Sequence, residues 1–113
     1  MNIQIFGTNK GFDTKKAQRW FKERRIKFQF VNLKEKDMSK GELRSVISAV
    51  GGIDKLVDPK AKDQDTATLM QYLSQDQKFE KLLENQEILK QPIVRNGKQA
   101  TVGYVPEVWE SWK

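Results

Sequence analysis

Ile3-Gln4-Ile5-Phe6, then Gly7-Thr8-Asn9-Lys10-Gly11-Phe12, then Asp13-Thr14-Lys15-Lys16-Ala17: the reading of this stretch decides the fold. Its first block alternates apolar and polar side chains, the period of a strand. The second holds two glycines and an asparagine and reads as a loop. The third opens with Asp13 or Thr14, both good helix N-caps, and runs into a lysine-rich amphipathic pattern. A loop that carries a strand into a helix gathers unpaired first-turn N–H groups and the positive end of the helix dipole at one spot. That spot is a ready anion site. An enzyme using it would place a nucleophile at the rim, and the rim residue is Phe12, which has no nucleophilic atom.

Working outward, a helix is expected over 14–25. Ala17, Trp20, Phe21 and the stem of Arg24 share one face by three-and-four spacing, and Lys15, Lys16, Arg19, Lys22 and Arg25 cover the rest. The plain reading of those cations is a solvated surface. Residues 26–33 alternate again, Ile26, Phe28 and Phe30 against Lys27, Gln29, Val31 and Leu33, and read as a second strand. Strand, helix and strand in this order make a βαβ unit with parallel strands.

The middle of the chain reads as helices. Ser39 is an N-cap with Glu42 completing a capping box. The helix that follows carries Leu43, Val46, Ile47 and Val50 on one face and stops at Gly51-Gly52. Residues 53–57 fit one more helical turn, and Asp58-Pro59-Lys60 breaks the pattern. Short helices are expected over 66–72 and 76–83, the second capped by Ser74. Near the end, Asn96-Gly97 between two strand-like runs signals a hairpin. Pro92 is tolerated only at a strand start or where its missing N–H is harmless. Residues 107–112 form a short helix with Val108, Trp109 and Trp112 as its apolar face, the tryptophans read as core packing.

Composition sets the bounds. The 113 residues make a single domain, 1–113, with a core of its own. No run reaches the length of a membrane span, and no basic-then-apolar leader opens the chain, so a cytoplasmic monomer is expected. There is no cysteine and no histidine. Thiol nucleophiles, disulfides and thiolate metal sites are therefore excluded, and the commonest metal ligand is missing. The net charge of +6 favours anionic partners but falls short of a dedicated nucleic-acid tract, so no direct nucleic-acid binding is expected. Gly7 to Gly11 lacks the Gly-Lys-Ser/Thr ending of a nucleotide loop. Asp13, Asp58, Asp63 and Asp65 read as solvated loop charges rather than a paired-carboxylate or hard-cation site. No cofactor and no metal site is expected.

Several of these motifs together resemble one family. Phe12-x-Thr14-x-Lys16-Ala17 is similar to the cysteine-headed stretch that opens the arsenate reductase (ArsC) family, which includes the Spx transcription regulators. Leu56-Val57-Asp58-Pro59-Lys60 resembles its mid-chain Leu-Leu-Asn-x-Arg stretch. Leu89-Lys90-Gln91-Pro92-Ile93-Val94 and Val102-Gly103-Tyr104 resemble its closing motifs. The resemblance implies an α/β, thioredoxin-like fold: a four-stranded mixed sheet with flanking helices, a core of about 1–35 and 86–113, and an inserted helical subdomain of about 36–85. It also implies a cis bond before Pro92.

In the family a thiolate attacks the arsenic of bound arsenate while arginines hold the oxyanion. Here the cysteine position is Phe12, the arginine before the proline is Gln91, and the mid-chain arginine is Lys60. Those departures imply no catalytic residue and a redox-inactive member with, at most, a residual pocket for a small oxyanion. Thr14, Lys15, Lys60 and Gln91 are its candidate residues. The alternative is an Spx-like regulator that binds the RNA polymerase alpha subunit, with Gly52 as the contact position. The plain reading of Gly52 is a helix end. Spx-like redox switching uses Cys-x-x-Cys, and the corresponding positions are Phe12 and Lys15.

Overall fold

The computed structural model describes residues 1–112. Strand β1 (Ile3–Gly7) lies at the middle of a four-stranded mixed sheet of order β2-β1-β3-β4. It pairs in parallel with β2 (Phe28–Asn32), with Ile5 opposite Phe30, and antiparallel with β3 (Ile93–Asn96), with Ile5 opposite Val94. The edge strand β4 (Gln99–Val102) closes a hairpin with β3. Its two-residue loop is Gly97-Lys98, one position later than the Asn96-Gly97 signal, with Gly97 at a φ of 61°.

Both faces of the sheet are covered because β1 sends side chains each way. Ile3 and Ile5 enter one cluster with Val94, Ala17, Trp20 and Phe21 of α1 (Phe12–Glu23), and Trp109 of α5 (Pro106–Glu110). Trp109 donates from its indole N–H to Thr101 Oγ1 at 2.8 Å, which satisfies the one polar atom of that buried ring. Phe6 and Ile93 face the other way and join Leu43 and Val46 of α2 (Lys40–Val50). That second cluster runs on through Leu56, Met70, Phe79 and Leu82, so the helical stretch shares its apolar core with the sheet.

Ser39 and Ser74 cap their helices as expected, and Asp63, read from the sequence as a solvated loop charge, caps a third. Ser39 and Glu42 form a reciprocal capping box on α2. Ser74 and Gln77 do the same on α4 (Gln75–Glu84), and Asp63 caps α3 (Gln64–Leu69) by accepting from the Thr66 N–H. A short 3₁₀ turn covers Ile53–Leu56. Buried Gln86 acts as a clamp, accepting from the Met38 N–H at 2.7 Å and donating to the Met38 carbonyl at 2.9 Å.

Two expectations are corrected. Helix α1 begins at Phe12 rather than at residue 14, and its N-cap is Gly11 in extended conformation with no side-chain cap. Asp13 and Thr14 therefore lie inside the first turn. Val108 is exposed while Trp109 is buried, because the step of about 100° between neighbours turns Val108 away from the sheet once Trp109 faces it. No helix among the described residues is long and apolar enough to cross a membrane.

Candidate functional site

The β1–α1 loop, the segment after the 3₁₀ turn and the approach to Pro92 converge on one cleft of about 850 Å³. Three contacts hold the walls together. The Asp58 N–H donates to the Ile88 carbonyl at 2.8 Å, and the Lys90 N–H donates to the Leu56 carbonyl at 2.7 Å. These flank an isolated antiparallel bridge between Val57 and Leu89 and fix the loop carrying Lys60 beside the segment carrying Gln91. The third is Gln91 itself, whose Oε1 accepts the Thr8 N–H at 2.9 Å. The Gln91–Pro92 peptide bond is cis.

Phe12 opens α1 at the cleft mouth with its ring 75% exposed. Its ring belongs to neither hydrophobic cluster. Two residues on, Thr14 is only 1% exposed, lines the cleft, and has no hydrogen-bond partner for its Oγ1. It packs tightly on the incoming strand. A Cβ at Gly7 would lie 2.6 Å from Thr14 Oγ1, so the backbone reaches the helix only because Gly7 has no side chain. With no side-chain cap on α1, the first-turn donors are left available to a ligand.

Of the residues proposed for an anion pocket, Thr14, Lys60 and Gln91 meet in this cleft together with Phe12. Lys15 does not line it, and its side chain is exposed on the solvent face of α1. Gly52 also lies apart from the cleft, beyond the end of α2, at a φ of 140° that a side-chain-bearing residue rarely adopts. Sequence reasoning missed the acids. The cleft gathers Lys10, Lys34, Lys60 and Lys62 against Asp13, Asp37, Asp58, Asp63 and Glu87, a formal balance of one negative charge. Two of these acids already have structural duties. Asp58 accepts the Lys60 N–H at 2.9 Å, and Asp63 accepts from the Thr66 hydroxyl and N–H, which holds its carboxyl below the usual range. Nothing in the spacing of residues 13, 37, 58, 63 and 87 announces that they meet. Among the described residues, no group of three or more acids has the geometry to hold a metal ion.

A family model described as the ArsC family matches residues 12–112. An ArsC family related protein from Bacteroides fragilis superposes with a TM-score of 0.87 at 20% identity, over 100% of both chains. An arsenate reductase from Vibrio cholerae superposes with a TM-score of 0.84 at 22% identity, over 98% of this chain and 97% of that one. At these identities the likeness is one of fold. No curated protein matches the sequence.

Proposed function

The chain belongs to the ArsC family, and from that premise we propose that it is a redox-inactive member, one that binds in its cleft without turning a ligand over. The observation that carries this is Phe12, an exposed ring at the cleft mouth where the family resemblance puts the attacking thiol. Thiol-dependent arsenate reduction needs a sulfur lone pair to attack arsenic with loss of water, and a sulfur that a second thiol then takes into a disulfide as arsenite is released. A phenyl ring offers neither, and the 113 residues contain no cysteine to stand in.

A small oxyanion is the ligand this reading assigns to the cleft. The uncapped start of α1, the unpartnered Thr14 Oγ1 and the ammonium groups of Lys10 and Lys60 favour it. Three features keep it weak. The surrounding carboxylates outnumber the lysines, the Gln91 carbonyl oxygen is committed to Thr8, and Lys60 is a point charge without a guanidinium's planar fork. The purified protein, assayed for arsenate reduction with glutathione–glutaredoxin and with thioredoxin systems, is expected to give no turnover. Activity that follows the protein through purification overturns the reading. Titration with arsenate or phosphate should move the amide signals of residues 12–14 with millimolar affinity.

The Spx-like alternative rests on Gly52 as the contact for the polymerase alpha subunit. Its φ of 140° accounts for a glycine there on backbone grounds alone. Direct titration with the C-terminal domain of that subunit tests it, and binding whose amide shifts centre on Gly52 would replace the ligand-binding reading with a regulatory one.

A further inference from the structure

We propose that the solvent face of α1 is a docking stripe for an acidic partner protein, with the Phe12 ring as its apolar anchor. This inference is independent of what the cleft binds. Phe12, Lys15, Arg19 and Lys22 follow one another at steps of three, four and three residues, so they fall in one line along the helix. That line is opposite the buried face of Thr14, Ala17, Trp20 and Phe21, and all four side chains are exposed. The ten steps from Phe12 to Lys22 span about 15 Å at 1.5 Å per residue, enough to lie along two to three turns of a partner helix.

The charge distribution distinguishes this face from an ordinary solvated one. Residues 10–27 hold eight basic and two acidic side chains, a net of +6 that equals the net charge of the entire chain. Everything outside that segment is balanced. Among the described residues, only Arg24 of this segment has an ion pair, a long one of 3.8 Å to Glu110. An unneutralised row of cations on one helix favours association with a surface of opposite sign.

The cleft decides between classes of anionic partner. The Phe12 end of the stripe opens onto a rim where carboxylates outnumber lysines. A polyphosphate strand running along α1 would meet like charge at that end. A protein can instead set carboxylates against Lys15, Arg19 and Lys22 and an apolar side chain against Phe12, pairing an aromatic anchor with a charged rim.

The test uses the full chain and amide-shift titration with a synthetic helical peptide. The peptide carries glutamates along one face and a leucine at the end. The shifts should cluster on residues 12–22, and Lys15→Glu/Arg19→Glu/Lys22→Glu should weaken binding about tenfold, the sum of three exposed charge contacts. If that variant fails to fold, Lys15→Gln/Lys22→Gln serves and should give a smaller loss of the same sign. Phe12→Ala should weaken the leucine-ended peptide but not one ending in serine. Shifts that map elsewhere, or affinity unchanged in the charge variants, would refute the docking stripe. Equal losses for the two peptides would refute the anchor. An oligothymidylate of matched charge binding as tightly through the same residues would show a general polyanion surface and overturn the assignment to a protein.

Discussion

Phe12→Cys tests whether the α1 N-terminus still favours an anion at the position where the family resemblance puts its thiol. The ring is 75% exposed and belongs to neither hydrophobic cluster, so its removal should leave stability nearly unchanged. An exposed helix N-terminus stabilises an anion by about 0.3–1 kcal/mol. Dividing by 1.36 kcal/mol per unit lowers the thiol pKa by about 0.2–0.7 from the ordinary value of about 8.5. At neutral pH the thiolate fraction rises from about 3% to roughly 5–14%, but nucleophilicity falls along with basicity, with a Brønsted slope of about 0.4–0.5. The alkylation rate at pH 7 should then rise by no more than about twofold, too little to decide anything by itself. The informative measurement is the full pH profile of iodoacetamide alkylation, with circular dichroism to establish the fold. A midpoint between about 7.8 and 8.3 fits the helix terminus acting alone. A midpoint at or above 8.5 in a folded variant would mean that the dipole does not reach this position, or that Asp13 and its neighbours cancel it. Arsenate reduction should remain absent, because restoring the thiol leaves the carboxylate-rich cleft and the committed Gln91 as they are.

Other expectations follow from the packing. Gln86→Leu strands the buried N–H and carbonyl of Met38 and should destabilise the protein by about 2–4 kcal/mol in urea unfolding. Gly7→Ala drives a methyl into Thr14 and should cost about 1–3 kcal/mol, and Thr14→Ala in the same chain should recover most of it, a non-additivity that a double-mutant cycle reads directly. Asp63 has a folded-state pKa held below 3.8 by its bonds to Thr66. Its contribution is therefore present above that value and is lost as the pH falls through the lower folded pKa. Asp63→Asn should flatten this part of the acid limb of a thermal-unfolding profile.

Local chemistry was legible wherever neighbours in sequence are also neighbours in space. The capping box at Ser39, the cap at Ser74, the parallel βαβ start and the Pro92-led hairpin strand can be read from a few adjacent residues. The start of α1 was misplaced because Gly11 caps it with backbone geometry alone, leaving no side-chain signal, while Asp13 and Thr14 imitate caps from inside the first turn. The Gln91–Thr8 bond joins residues 83 positions apart, and no local pattern foretells it. The same holds for the acids of the cleft. Each looks like an ordinary loop charge, and their meeting is a property of the topology.

The central place of β1 has a consequence for how the chain comes off the ribosome. Its partner on one side, β2, ends at Asn32, but its partner on the other, β3, is complete only at Asn96. At synthesis speeds of about 5–20 residues per second, the intervening stretch takes roughly 3–13 s to emerge. Throughout that interval the nascent β1–α1–β2 unit has a second open edge at Ile3 to Phe6, besides the one β2 keeps in the finished sheet, where backbone donors and acceptors await a strand not yet made. The same edge of another half-made copy on the same messenger can pair there, so mispairing is most accessible before Asn96 is made.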